Sequence, residues 1–152
     1  MKHPRRDCLY LSGSIEYNKN PDAWREKMHD SLGYKYHVII PWAAKPPGNK
    51  GDKIYNDWVL QNFIHPDMAD VARSKFFFIK IDKGVLKGAG TISELSLATW
   101  MNKYIVAMLD GLEIQELPGW MCGCLTKAKF VKTINEAIDH FKTLKIEEEI
   151  EG

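Results

Sequence analysis

The run Phe76-Phe77-Phe78-Ile79-Lys80-Ile81-Asp82 is nearly continuously apolar, and soon after it comes Gly88-Ala89-Gly90-Thr91-Ile92-Ser93-Glu94-Leu95. A strand apolar on both faces must be covered on both sides, as in a parallel sheet held between helical layers. A glycine-rich turn that opens a helix beyond such a strand is where α/β proteins keep their ligands. There the free N–H groups and the positive dipole end of the helix face the crevice past the strand carboxyl ends.

Glu94 therefore has two competing jobs. Thr91 and Glu94 have the spacing of a capping box, in which the pair would satisfy the amides at the helix start. Alternatively Glu94 faces the crevice. Thr133 and Glu136 repeat the spacing without a glycine-rich turn before them, and capping alone accounts for that pair.

The rest of the chain alternates in the same manner. Asp7 to Ser12 reads as a first strand ending in Gly13-Ser14. Asn20-Pro21-Asp22 then starts a helix that runs to about Leu32, with Gly33 as its stop and Trp24, Met28 and Leu32 as its buried stripe. Tyr36 to Pro41 is a second strand, followed by a long proline-, glycine- and lysine-rich loop from Trp42 to Lys53. Helical pattern runs from Ile54 to about Ser74, punctuated at His65-Pro66-Asp67. After the third strand come a helix from Gly90 to Met101 and a strand from Tyr104 to Leu109. Thr126 to Val131 offers a fifth strand, before a helix from Ile134 to about Leu144. The pattern predicts a three-layer α/β domain, flavodoxin-like or Rossmann-like, with a mainly parallel sheet of about five strands. With 152 residues the chain suits a single domain over 1–152 that buries about two thirds of its unfolded surface.

Lys and Arg number 21 against 20 Asp and Glu, so no broad basic footprint points to nucleic acid or to an anionic membrane. The apolar runs fall short of the roughly 20 residues of a membrane span. Cys8, Cys122 and Cys124 form no disulfide framework, and Met1 to Arg6 is not an apolar signal segment, which predicts a reducing, cytoplasmic setting. Cys122-Gly123-Cys124 lacks the second ligand pair of a structural zinc site, and the five histidines are scattered, so no metal and no cofactor are expected. A small-molecule partner fits best.

In a doubly wound sheet, residues just past each strand converge. Here these are Gly13 and Ser14 after the first strand, flanked by Tyr10 and Glu16, Trp42 after the second, and Asp82 with the Gly88 to Glu94 turn after the third. Hydroxyls, an indole face, backbone amides and carboxylates suit a sugar joined to an aromatic base. Cleaving that N-glycosidic bond passes through an oxocarbenium-like state, which a carboxylate can stabilise or trap covalently. Glu94 in the first helical turn would be held ionised by the dipole.

At this point the residues resemble a family. Tyr10-Leu11-Ser12-Gly13-Ser14-Ile15, Trp24-Arg25 and the glycine-rich turn ending in Glu94-Leu95 are similar to nucleoside 2-deoxyribosyltransferases and their relatives that hydrolyse deoxynucleoside monophosphates, over about Leu9 to Met108. The resemblance implies Glu94 as nucleophile, Tyr10 as the tyrosine that places it, and Asp67 as the aspartate that meets the nucleobase. Gly13 and Ser14 would border the sugar or a 5′-phosphate, with Gly90 and Thr91 in the turn and Trp42 at the second strand end. It also implies a homo-oligomer, with Leu109 to Leu125 as a contact tract. Two positions depart from the family. Where transferases can carry a second base-contacting aspartate stands Gly88, for which Asp82 is the nearest substitute in sequence. Where monophosphate hydrolases can carry an arginine stands Glu16, with Lys19 and the Lys45 to Lys53 loop as the nearby cations. The glycine string also resembles the phosphoribohydrolases that release cytokinin-type bases, without their preceding Pro-Gly-Gly. A non-catalytic nucleotide-sequestering protein of the same fold is the alternative from another class, and a flavin or dinucleotide-binding domain is disfavoured because no G-x-G-x-x-G follows the first strand.

Overall fold

The computed structural model describes residues 6–14, 23–41, 48–49, 51–62, 64–87 and 89–145. Trp42, Gly88, Glu16, Lys19 and the helix start at 20–22 lie outside the described residues.

In chain order the elements are β1 (Cys8–Gly13), α1 (Ala23–Leu32), β2 (His37–Ile39), α2 (Lys53–Asn62), α3 (Ile64–Arg73), β3 (Phe76–Ile81), α4 (Gly90–Trp100), β4 (Tyr104–Leu109), α5 (Gly119–Cys124), β5 (Lys129–Val131) and α6 (Ile134–Thr143). Short 3₁₀ turns sit at Val85–Lys87 and Ile114–Glu116. Among the described residues the sheet has five strands in the order β2-β1-β3-β4-β5, and each adjacent pair is parallel. This is the flavodoxin-like arrangement. The chain leaves β1 for β2 on one side and returns to β3 on the other, so the switch point opens beyond the carboxyl ends of β1 and β3.

The period of two along the strands divides the core into two layers. Leu9, Leu11, Phe76, Phe78, Val106 and Met108 face α1 and α6, where they meet Trp24, Met28, Leu32 and Phe141. Tyr10, Phe77, Ile79 and Ile81 face the opposite layer and meet Val71, Leu95, Ala98 and Met121. Burial of β3 on both sides is what its unbroken apolar sequence requires. Pro66 lies in the first turn of α3, where no intrahelical N–H bond is lost.

β2 and β5 are shorter than their sequence signals, because each edge strand is paired on one side only. Tyr36, expected in β2, instead turns its ring into the core and donates its hydroxyl to the Phe141 carbonyl at 2.7 Å. The tract from Leu109 to Leu125 contains a helix, α5, that its sequence does not announce. Leu112, Leu117, Met121 and Leu125 are buried in the chain's own core, and Ile114 and Trp120 stay exposed. Among the described residues no helix is long and apolar enough to cross a membrane.

Candidate active site

Tyr10 and Ser12 are alternate residues of β1 and so project to the same face of the sheet, toward α4. They meet Glu94 there. The Tyr10 hydroxyl donates to Glu94 Oε2, and Ser12 Oγ donates to Oε1 at 3.0 Å. Both donors are fully buried, and Glu94 is partly buried.

This geometry decides between the two jobs of Glu94. Helix α4 begins at Gly90, with Ala89 as its cap residue and no side-chain capping bond. Thr91 is thus a buried residue inside the first turn and not a cap, and Glu94 is the fifth helical residue, past the first turn. At Thr133 the capping reading holds. Its side chain accepts from the Glu136 N–H at 3.0 Å, and the Glu136 carboxylate accepts the Lys132 N–H at 3.1 Å.

The expected dipole-held ionisation of Glu94 gives way to a stronger effect. Burial pushes its pKa up to about 7, with the Asp67 charge adding to the rise; hydrogen bonds from Tyr10 and Ser12 and the Arg25 charge pull the other way. Asp67, in the first turn of α3, is pushed up to about 6 by burial and then by Asp70, against the pull of Arg25. Burial and then the Glu94 charge drive the Tyr10 phenol far above its ordinary range, so it remains a donor. Glu94, Tyr10 and Asp67 therefore share one field.

Arg25 belongs to the same field, where its charge favours the ionised forms of Glu94 and Asp67. It is fully buried. β2 pairs with β1 only as far as Tyr10↔Ile39. Beyond that point Arg25 donates to the carbonyls of Leu11 at 3.3 Å and Gly13 at 2.9 Å, two alternate residues of the strand. The guanidinium takes over where the neighbouring strand stops. A Cβ on Gly13 would come within 2.9 Å of the Trp24 ring and 3.3 Å of the Arg25 guanidinium, so this glycine admits α1 to the strand end. A sequence signal for Arg25 existed: position 25 is three before Met28 and seven before Leu32, on the buried stripe of α1.

Ser14 and Gly84 form a second feature of the crevice. Ser14 is buried, and its Oγ has no hydrogen-bond partner among the described residues. A Cβ on Gly84 would lie 2.6 Å from that Oγ and 3.1 Å from Asp82 Oδ1. Asp82 is occupied in shaping this turn. Its Oδ1 accepts the Val85 N–H at 3.2 Å, and its Oδ2 lies 3.3 Å from Lys80 Nζ, which also pairs with Asp110 at 2.9 Å. Gly90 is exposed at the helix start, with open space where a Cβ would be.

No protein-family model and no curated protein matches the chain by sequence. Among solved structures it is similar to the CMP N-glycosidase BcmB of Clostridium botulinum, with a TM-score of 0.55 and 16% sequence identity over 90% of this chain and 99% of that one. The chain has the three-layer α/β fold, with a parallel five-stranded sheet, that this structure shares.

Proposed function

We propose that the chain breaks the bond between a nucleobase and its sugar in a (deoxy)nucleoside or nucleoside 5′-monophosphate, with Glu94 as nucleophile. The observation that carries this reading is the grip of Tyr10 and Ser12 on both oxygens of a partly buried carboxylate at the switch point of the sheet. Structural likeness to a protein named as a CMP N-glycosidase supports the same bond type.

In the proposed reaction a Glu94 oxygen attacks the anomeric carbon as the carbon–nitrogen bond breaks. The bonding pair leaves with the base, which takes a proton from Asp67, and a glycosyl ester of Glu94 remains. Water or a second base, giving a proton to Asp67, then attacks the same carbon and frees the carboxylate. Those two fates are hydrolysis and transfer. Ser14 and Gly84, with the turn that holds Gly90 and Thr91, border the sugar side, and a homo-oligomer belongs to the same reading.

The test is incubation with a panel of ribo- and deoxynucleosides and their 5′-monophosphates, with and without an acceptor base, following free base by chromatography. Base release that Glu94→Ala abolishes is the expected result. Tight binding without release by either form would support the sequestering alternative in its place.

A further inference from the structure

We propose that Ser12 is a positioning residue that fixes the orientation of the Glu94 carboxylate for attack. This inference rests on the reading of Glu94 as the nucleophile. Ser12 has no surface exposed, and it lies opposite Ile79 in the β1–β3 register, one residue before the end of β1, with its hydroxyl turned to Glu94. It acts only through Glu94.

The geometry explains why one donor is not enough. With the Tyr10 hydroxyl alone on Oε2, the carboxylate can still swing about that contact. A second donor on Oε1, 3.0 Å away and from the same strand, sets the plane of the group. The two donors are two residues apart, so the pleat of β1 sets their spacing and the strand acts as a rigid fork. Arg25 stiffens this fork from the side, because the carbonyls it binds belong to Leu11 and Gly13, the residues flanking Ser12.

A hydroxyl at this depth also has an electrostatic effect. Hydrogen bonds to a carboxylate are stronger than those to its neutral acid, so Ser12 favours the ionised form against the burial that opposes it. Removing the hydroxyl costs both orientation and ionisation. A residue that merely fills space costs neither.

The experiment compares wild type with Ser12→Ala and Ser12→Cys, the second retaining a weak donor of similar shape. Ser12→Ala is expected to lower kcat about tenfold with KM within about twofold, as loss of one hydrogen bond made to the reacting group implies. Its alkaline limb, which stands at the Glu94 value, should move to higher pH by about half a unit or more, and Ser12→Cys should fall between. A Ser12→Ala variant with the wild-type kcat and pH profile overturns the proposal, as does a KM that rises in proportion while kcat stays unchanged. A second readout needs no turnover: titration of the Glu94 side-chain carboxyl by carbon NMR, assigned by its loss in Glu94→Gln. An unmoved midpoint in Ser12→Ala overturns the link to Glu94. If the substrate panel shows no turnover, the glycosidase reading fails, and the NMR titration still decides whether Ser12 tunes Glu94.

Discussion

The guanidinium of Arg25 donates to the carbonyl of Gly13 at 2.9 Å, and through that contact a helix of one layer holds the strand end that carries the site of the other. Arg25 is buried on the α1 side of the sheet, and Glu94 lies on the α4 side. The backbone of β1 joins them: Arg25 holds carbonyls of the strand whose Tyr10 and Ser12 hold Glu94.

Arg25→Lys keeps the charge and loses the planar fork, since an ammonium cannot span two carbonyls as a guanidinium does. The variant is expected to be destabilised by about 1.5–3 kcal/mol, the worth of a charged hydrogen bond. Urea unfolding would show this as a lower midpoint at unchanged slope. Arg25→Met also removes a positive charge that favours ionised Glu94 and Asp67. Its acidic limb should therefore stand above that of Arg25→Lys; coincident limbs would mean that the charge does not reach the site.

β3 and the stripe of α1 are legible in the sequence because each has a strong local or periodic signal, whereas the pairing of Tyr10 with Glu94 is implied only by the family resemblance. The features that escape depend on distant contacts. Thr91 and Glu94 have the letters of a capping box, and only the start of α4 at Gly90 shows that the box is not formed. The spacing of α1 places Arg25 on the buried stripe, but the partners that hold it are main-chain carbonyls, which no side-chain pattern reports. The orphan hydroxyl of Ser14 and the missing Cβ of Gly84 acquire meaning only together, 70 residues apart. Helix α5 is six residues long and carries two glycines, too short and too weak a helix former to show a period.

Substituting Glu94 should make the protein more stable above neutrality. An unfolded glutamate titrates near its ordinary value, about 4.3, and burial raises the folded value to about 7. The folded state thus binds the proton more tightly, and this contribution is fully present below the unfolded value and lost as pH rises through about 7. Glu94→Gln keeps the shape without the charge. It is expected to exceed wild type by on the order of 2–3 kcal/mol at pH 8, with the advantage vanishing toward pH 4. Equal gains at both ends of that range in urea unfolding would exclude the linkage.

Gly84→Ala is expected to weaken substrate binding through Ser14. The new methyl would meet Ser14 Oγ at 2.6 Å and Ser14 Cβ at 3.1 Å, so one side of the contact must move. KM should rise with kcat less affected, because Glu94 lies on α4 and its donors Tyr10 and Ser12 lie earlier on β1. Removing the obstructed side chain in Ser14→Gly should make Gly84→Ala nearly neutral in that background. Additive effects in this double-mutant cycle would show that the two positions do not act through their contact.

The pH dependence of base release should be bell-shaped, centred on about pH 6.5, between the values for Asp67 and Glu94. The proposed mechanism needs Glu94 ionised and Asp67 protonated, yet Asp67 sits at about 6 and Glu94 at about 7, so the reactive arrangement is the less favoured one. A one-unit separation leaves roughly one singly protonated pair in ten with the proton on Asp67. Asp67→Asn removes the acid and also a charge that raises the Glu94 value. The variant should therefore be slower, lose its alkaline limb and show an acidic limb that follows Glu94 alone, below about 7 but no lower than that of wild type. Retention of the alkaline limb in Asp67→Asn would assign that titration to another group and remove Asp67 as the proton donor.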